Sequence, residues 1–130
     1  EEWDRTMATN VRSLFLVTRE VLPGMRERKH GTVVNIASLA ARNGSVDLVA
    51  YSASKHAVLG FSRSLMLEVR KEGVRVVAIC PGSVDTELIR GHSDPARILQ
   101  PDDVARTVLT ALALPPRALV SELDIRPSNP

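Results

Sequence analysis

The only tyrosine of the 130-residue chain, Tyr51, stands four positions before Lys55, one of three lysines. On a helix, side chains four apart share a face. A free phenol titrates at about pH 10. A neighbouring ammonium favours the phenolate and brings the group nearer working pH, where it is a better general acid or base. Ser38 closes the apolar stretch TVVNIA, thirteen positions before Tyr51. A hydroxyl there can polarise the same substrate oxygen. Ser52, Ala53 and Ser54 are small and predict room for a ligand to approach the pair. A Tyr and a Lys four apart also occur on many ordinary helices, so the pair acquires meaning only from its surroundings.

Those surroundings are legible as alternating helices and strands. Trp3 to about Arg28 reads as an amphipathic helix with Met7, Val11, Leu14, Thr18, Val21 and Met25 on one seam. Asn10 interrupts that seam in mid-helix, where asparagine is a poor former, and Pro23 predicts a kink in the last turns. The seam could cover a sheet or pair with a second subunit. A buried strand follows at 32–37, then a loop over 38–50 with its turn at Asn43-Gly44. A second helix spans Tyr51 to Glu72 and is closed by Gly73. A second strand, VRVVAI, ends before Pro81, which should leave the sheet. Residues 85–100 are irregular, and 87–100 read as a flap over substrate or a surface loop. A third helix opens at Pro101-Asp102-Asp103 and runs to about Leu114, and a third strand lies near 120–126.

Apolar strands alternating with helices predict an α/β fold. We read it as the C-terminal part of a doubly wound, Rossmann-like parallel-sheet domain, about three strands with flanking helices. Sites in such sheets lie beyond the carboxyl ends of the strands. That rule nominates Ser38 and the segment Pro81 to Thr86, next to the start of the Tyr51 helix.

Composition narrows the partners. The net charge is +2 and the 14 arginines are dispersed, which argues against nucleic acid and anionic membrane as partners. No apolar run reaches transmembrane length. Cys80 is the single cysteine, expected as a buried thiol in a reducing, cytoplasmic setting. His30, His56 and His92 lack metal-ligand spacing, so no metal is expected.

Asn10, Ser38, the YSASK stretch with Tyr51 and Lys55, and the PGSVDT element with Pro81, Gly82, Val84 and Thr86 together resemble the short-chain dehydrogenase/reductase family. The resemblance runs from Trp3 to the closing ELDIRP. It implies hydride transfer between NAD or NADP and a small carbonyl or alcohol substrate. It assigns Tyr51 as proton donor and acceptor, and Lys55 as the cation that lowers the phenol's pKa and binds the nicotinamide ribose. Ser38 orients the substrate oxygen, and Asn10 supports a water-linked proton relay behind Lys55. Thr86 and the backbone near Val84 hold the nicotinamide carboxamide, with Pro81-Gly82 shaping that wall. It also implies a homodimer or homotetramer built through the two long helices, where Ala53, Ala57, Gly60 and Ser64 form a small-residue stripe.

The family's other half does not appear. No G-x-x-x-G-x-G or G-x-G-x-x-G loop occurs among the seven glycines. Residues 1–130 therefore read as a C-terminal catalytic half whose N-terminal phosphate-binding half is absent. Such a piece should bind dinucleotide weakly, because the phosphate cradle is missing. It should also expose one side of the 32–37 strand to another chain or to exchange between copies. The alternative is a non-catalytic fragment serving as an oligomerisation or interaction module through the helix seam.

Overall fold

The computed structural model describes residues 1–87 and 94–128. The chain begins with α1 (Glu2–Met7), passes through a π-helical turn (Ala8–Arg12), and continues as α2 (Ser13–Glu27). The predicted single helix is thus one rod with a widened turn at Asn10. Residues facing the protein are Met7, Asn10, Val11, Leu14, Thr18, Leu22 and Met25, while Val21 is exposed. The expected seam therefore shifts from Val21 to Leu22 after Thr18. The rod also runs through Pro23 to Glu27. Pro23 sits on the solvent side, where water can take the carbonyl it releases.

Strand β1 (Gly31–Ile36) follows, then a short 3₁₀ turn (Leu39–Ala41) and α3 (Val49–Val69). The loop before α3 turns at Asp47, with φ of 61°, rather than at the expected Asn43-Gly44. A 3₁₀ turn at Arg70–Glu72 leads to Gly73, whose φ is 78°. A Cβ at Gly73 would lie 2.2 Å from the Lys29 carbonyl oxygen, so only glycine fits between the two strand entrances. Gly31 is less constrained, since a Cβ there would meet only the flexible Met25 side chain, at 2.6 Å.

Strand β2 (Val74–Pro81) is two residues longer than expected at its end, because Pro81 stays in the sheet opposite Ile125. A proline is tolerated in this last ladder position, where its missing N–H ends the strand rather than interrupting it. Helix α4 (Pro101–Ala113) is opened by a capping box between Gln100 and Asp103, and β3 (Glu122–Ile125) closes the sheet. All pairing is parallel in the order β1-β2-β3, with Ile36 opposite Ile79 and Ile79 opposite Leu123.

Alternation along β2 builds both layers. Val74 and Val76 pack with Leu65 and Val69 of α3 and Leu22 and Met25 of α2. Val77 and Ile79 point to the other face, against Ala111 and Val108 of α4. Among the described residues no helix is long and apolar enough to cross a membrane.

Candidate active site

Ser38, Tyr51 and the segment from Pro81 stand at the carboxyl end of the sheet because an element ends or begins there. Tyr51 lies in the first turn of α3. Ser38 caps the 3₁₀ turn after β1, its Oγ accepting from the Ala40 N–H at 3.1 Å. That leaves the hydroxyl proton of Ser38 available to an outside acceptor. Ser52 holds this turn against α3, donating to the carbonyls of Ala40 at 2.9 Å and Asn43 at 3.3 Å. The turn bearing Ser38 is thereby pinned to the residue adjacent to Tyr51.

Lys55 Nζ lies 5.7 Å from the centre of the Tyr51 ring and donates to the Ile36 carbonyl at 3.0 Å. Ala37 N–H donates to Ile79. Backbone groups alternate in direction along an extended strand, so the carbonyl of Ile36 is turned away from β2. The ammonium takes that carbonyl at the strand's open side. Lys55 is half-buried, and burial pushes its pKa below the ordinary lysine value of 10.5, with the nearby Cys80 opposing the shift.

Asn10 reaches the same turn by a different route. Its Nδ2 donates to Ser54 Oγ at 3.0 Å, and Ser54 Oγ donates to the Tyr51 carbonyl at 2.7 Å. The π turn opens the helix at this point; such one-turn insertions recur at functional sites. The three small residues of YSASK are expected to leave space for a ligand. Ser52 and Ser54 are instead buried and committed to hydrogen bonds within the protein, and only Ala53 of the three is half-open. For Ser54 the sequence signal was available, since a serine hydroxyl on a helix commonly bonds a carbonyl three or four residues back.

Beyond β2, Gly82 N–H donates to Ile125, and Val84 forms a bridge with Leu99. Leu99 N–H donates to Ser83, and Asp85 N–H donates to Leu99. The intervening Val84 backbone faces the opposite way, and Thr86 is exposed beside it. A recess of about 340 Å³ beside Tyr51 is walled by Trp3, Leu48 and Val49, with Glu2 and Asp47 at its margin. Part of the expected flap, residues 88–93, lies outside the described residues, and so does His92.

An ion-pair cluster missed by the sequence reading ties the Ser38 loop to β3. Arg42 pairs with Glu122 at 2.5 Å and with Asp124 at 2.8 Å, and Arg63 of α3 pairs with Glu122 at 2.5 Å. These bonds raise the Arg42 and Arg63 pKa values and, led by Arg63, hold the Glu122 carboxyl below its ordinary value. Nothing in sequence links positions separated by eighty residues; only the parallel register does. Cys80 sits beneath this cluster, fully buried, and burial pushes its thiol pKa up. No group of three metal-ligating side chains occurs among the described residues.

Residues 1–96 match the short chain dehydrogenase family. The chain belongs to that family. A curated relative, dehydrogenase/reductase SDR family member 6 of Danio rerio, is 41% identical over 110 residues, covering 81% of this chain and 44% of that protein. Among solved structures, the closed form of a serine dehydrogenase complexed with NADP+ aligns with a TM-score of 0.87 at 32% identity. The match covers 96% of this chain and 55% of that one. A 3-ketoacyl-(acyl-carrier-protein) reductase from Brucella melitensis complexed with NADH aligns with a TM-score of 0.84 at 30% identity, covering 96% and 56%. The short-chain dehydrogenase chain described here thus spans about half the length of these relatives, and its three-stranded sheet is part of their Rossmann fold.

Proposed function

We propose that residues 1–130 are the C-terminal catalytic half of an NAD- or NADP-dependent short-chain dehydrogenase/reductase, acting on a small carbonyl or alcohol. The observation that carries this reading is the half-buried Lys55 ammonium, fixed on Ile36 and held over the Tyr51 ring at the carboxyl end of β1. The relatives with bound NADP+ and NADH support the cofactor class without separating the two.

The nicotinamide end of such a cofactor fits the residues present. The Thr86 hydroxyl and the outward backbone of Val84 offer a donor and an acceptor suited to a carboxamide, with buried Pro81 and half-buried Gly82 as the adjoining wall. The phosphate end finds no glycine-rich loop among the 130 residues. When bound, the cofactor supplies or accepts the hydride. The protein's own part is proton handling and placement. Tyr51 gives its phenolic proton to the carbonyl oxygen in reduction and takes one in oxidation. Lys55 stabilises the phenolate between those events and offers its ammonium to a ribose hydroxyl. Ser38 turns its free proton to the substrate oxygen. Asn10 supports resupply of protons through water behind Lys55.

The finer assembly reading is a homodimer or homotetramer through the long helices. Phe15, Val17 and Val21 are exposed on the outer face of the α1–α2 rod, and a Cβ at Gly60 on α3 would meet open space. The same faces would serve a non-catalytic interaction module. The single buried Cys80 suits a cytoplasmic setting.

Substituting Tyr51→Phe in the enzyme assembled with a phosphate-binding half separates the readings. The expected result is a loss of turnover of about 10³-fold or more with cofactor affinity within about twofold. Retained turnover would remove the mechanism.

A further inference from the structure

We propose that Ser54 is a positioning residue that clamps the π turn of the first helix to the Tyr51 turn and fixes which end of the Asn10 amide is free. This rests on the proton-transfer reading of Tyr51, but its decisive test does not. Ser54 is completely buried, and its one hydroxyl proton is donated to the Tyr51 carbonyl at 2.7 Å. A carbonyl oxygen can only accept, so the direction of that bond is settled by chemistry. Having spent its proton, Ser54 Oγ can only accept from Asn10, at 3.0 Å. The side chain of Asn10 must therefore present Nδ2 to Ser54 and turn Oδ1 away. Amide orientation is usually an assignment; here the chain of donors forces it.

Two consequences follow for the site. The Tyr51 carbonyl is tied to the first helix while its neighbour Lys55 is tied to β1, so the Tyr51–Lys55 turn is held from two sides. Among the described residues no side chain donates to Asn10 Oδ1, which is left as an acceptor for water. A relay through Asn10 then has a defined polarity, with water donating to Oδ1. Ser54→Ala removes the clamp without enlarging the side chain at a buried position. Asn10→Asp cannot donate, so it would draw the Ser54 proton away from the Tyr51 carbonyl.

Side-chain amide hydrogen exchange by NMR tests this in the chain itself, with two internal references. Asn43 is exposed, and Asn35 is buried with its Nδ2 donating to Ser62 Oγ at 2.9 Å. The expected wild-type result is Asn10 exchange at least about tenfold slower than Asn43. In Ser54→Ala, Asn10 should exchange like Asn43 while Asn35 keeps its protection. Unchanged Asn10 protection, or joint loss at Asn10 and Asn35, would overturn the clamp. In the assembled enzyme Ser54→Ala should lower kcat by about tenfold with the cofactor KM unchanged. If Tyr51→Phe retained turnover while the exchange pattern held, the proposed function would fail and the clamp would stand.

Discussion

Ile36 and Ile79 are direct partners in the β1–β2 register, yet Ile36 is 44% exposed and Ile79 is 0% exposed. The strands that carry them are written in nearly the same alphabet, GTVVNI and VRVVAICP. The difference between them is neighbours. β2 is paired on both sides and covered by α3 on one face and α4 on the other. Among the described residues β1 pairs with β2 alone, leaving its outward backbone groups to other partners. One of them, the Ile36 carbonyl, is taken by Lys55. β2 thus supplies stability, and the Ile36 carbonyl at the end of β1 supplies an anchor point for the site.

The strongest way to break that comparison is to truncate the two isoleucines. Ile79→Ala should lower unfolding free energy by about 3 kcal/mol, through lost transfer energy and a cavity between α4 and the sheet. Ile36→Ala should cost less than about 1 kcal/mol. Chemical denaturation of both variants checks this, and equal losses would erase the distinction. Next in size is Gly73→Ala, where the left-handed backbone and the Lys29 carbonyl both oppose a Cβ. A cost of about 2 kcal/mol is expected from denaturant midpoints.

The third effect probes the far side of β2. Glu122→Gln should cost about 1 kcal/mol at neutral pH by weakening the pairs with Arg42 and Arg63. Because the folded state holds this carboxyl below its ordinary value of 4.5, its contribution is present above that pH. The gap between wild type and variant should close as pH falls from 4.5 through the folded value. The smallest effect has the opposite sign. Lys55 has its folded pKa lowered by burial, so between the folded and unfolded values the unfolded chain binds more protons and stability rises with pH. Lys55→Met should therefore raise the melting temperature slightly at neutral pH, with the gain shrinking as pH climbs toward 10.5. A site residue whose removal stabilises the fold is the mark of function placed at the expense of packing.

These contrasts also explain what was legible in the sequence. Element types followed from periodicity and punctuation: Gly73 closed α3, and the paired acids at Asp102-Asp103 opened α4. The chemistry of Tyr51 and Lys55 was visible because both are rare in this chain and lie one turn apart. The π turn was not visible, since a widened turn leaves residue types unchanged. The role of Ser52 depended on which way α3 is rotated, and helical spacing alone did not fix that. Pro81 was read as leaving the sheet because the rule for central ladders does not say where a ladder ends. The Arg42–Glu122–Arg63 cluster needed the parallel register to exist at all.

Lys55 stands at the centre of the site as a partly desolvated ammonium held at the carboxyl end of β1. Nitrogen-15 NMR titration of the three lysine Nζ groups measures it directly, because the exposed Lys29 and Lys71 serve as references in the same molecule. Lys55 is expected to lose its proton at lower pH than the other two. Joint titration of all three would contradict it.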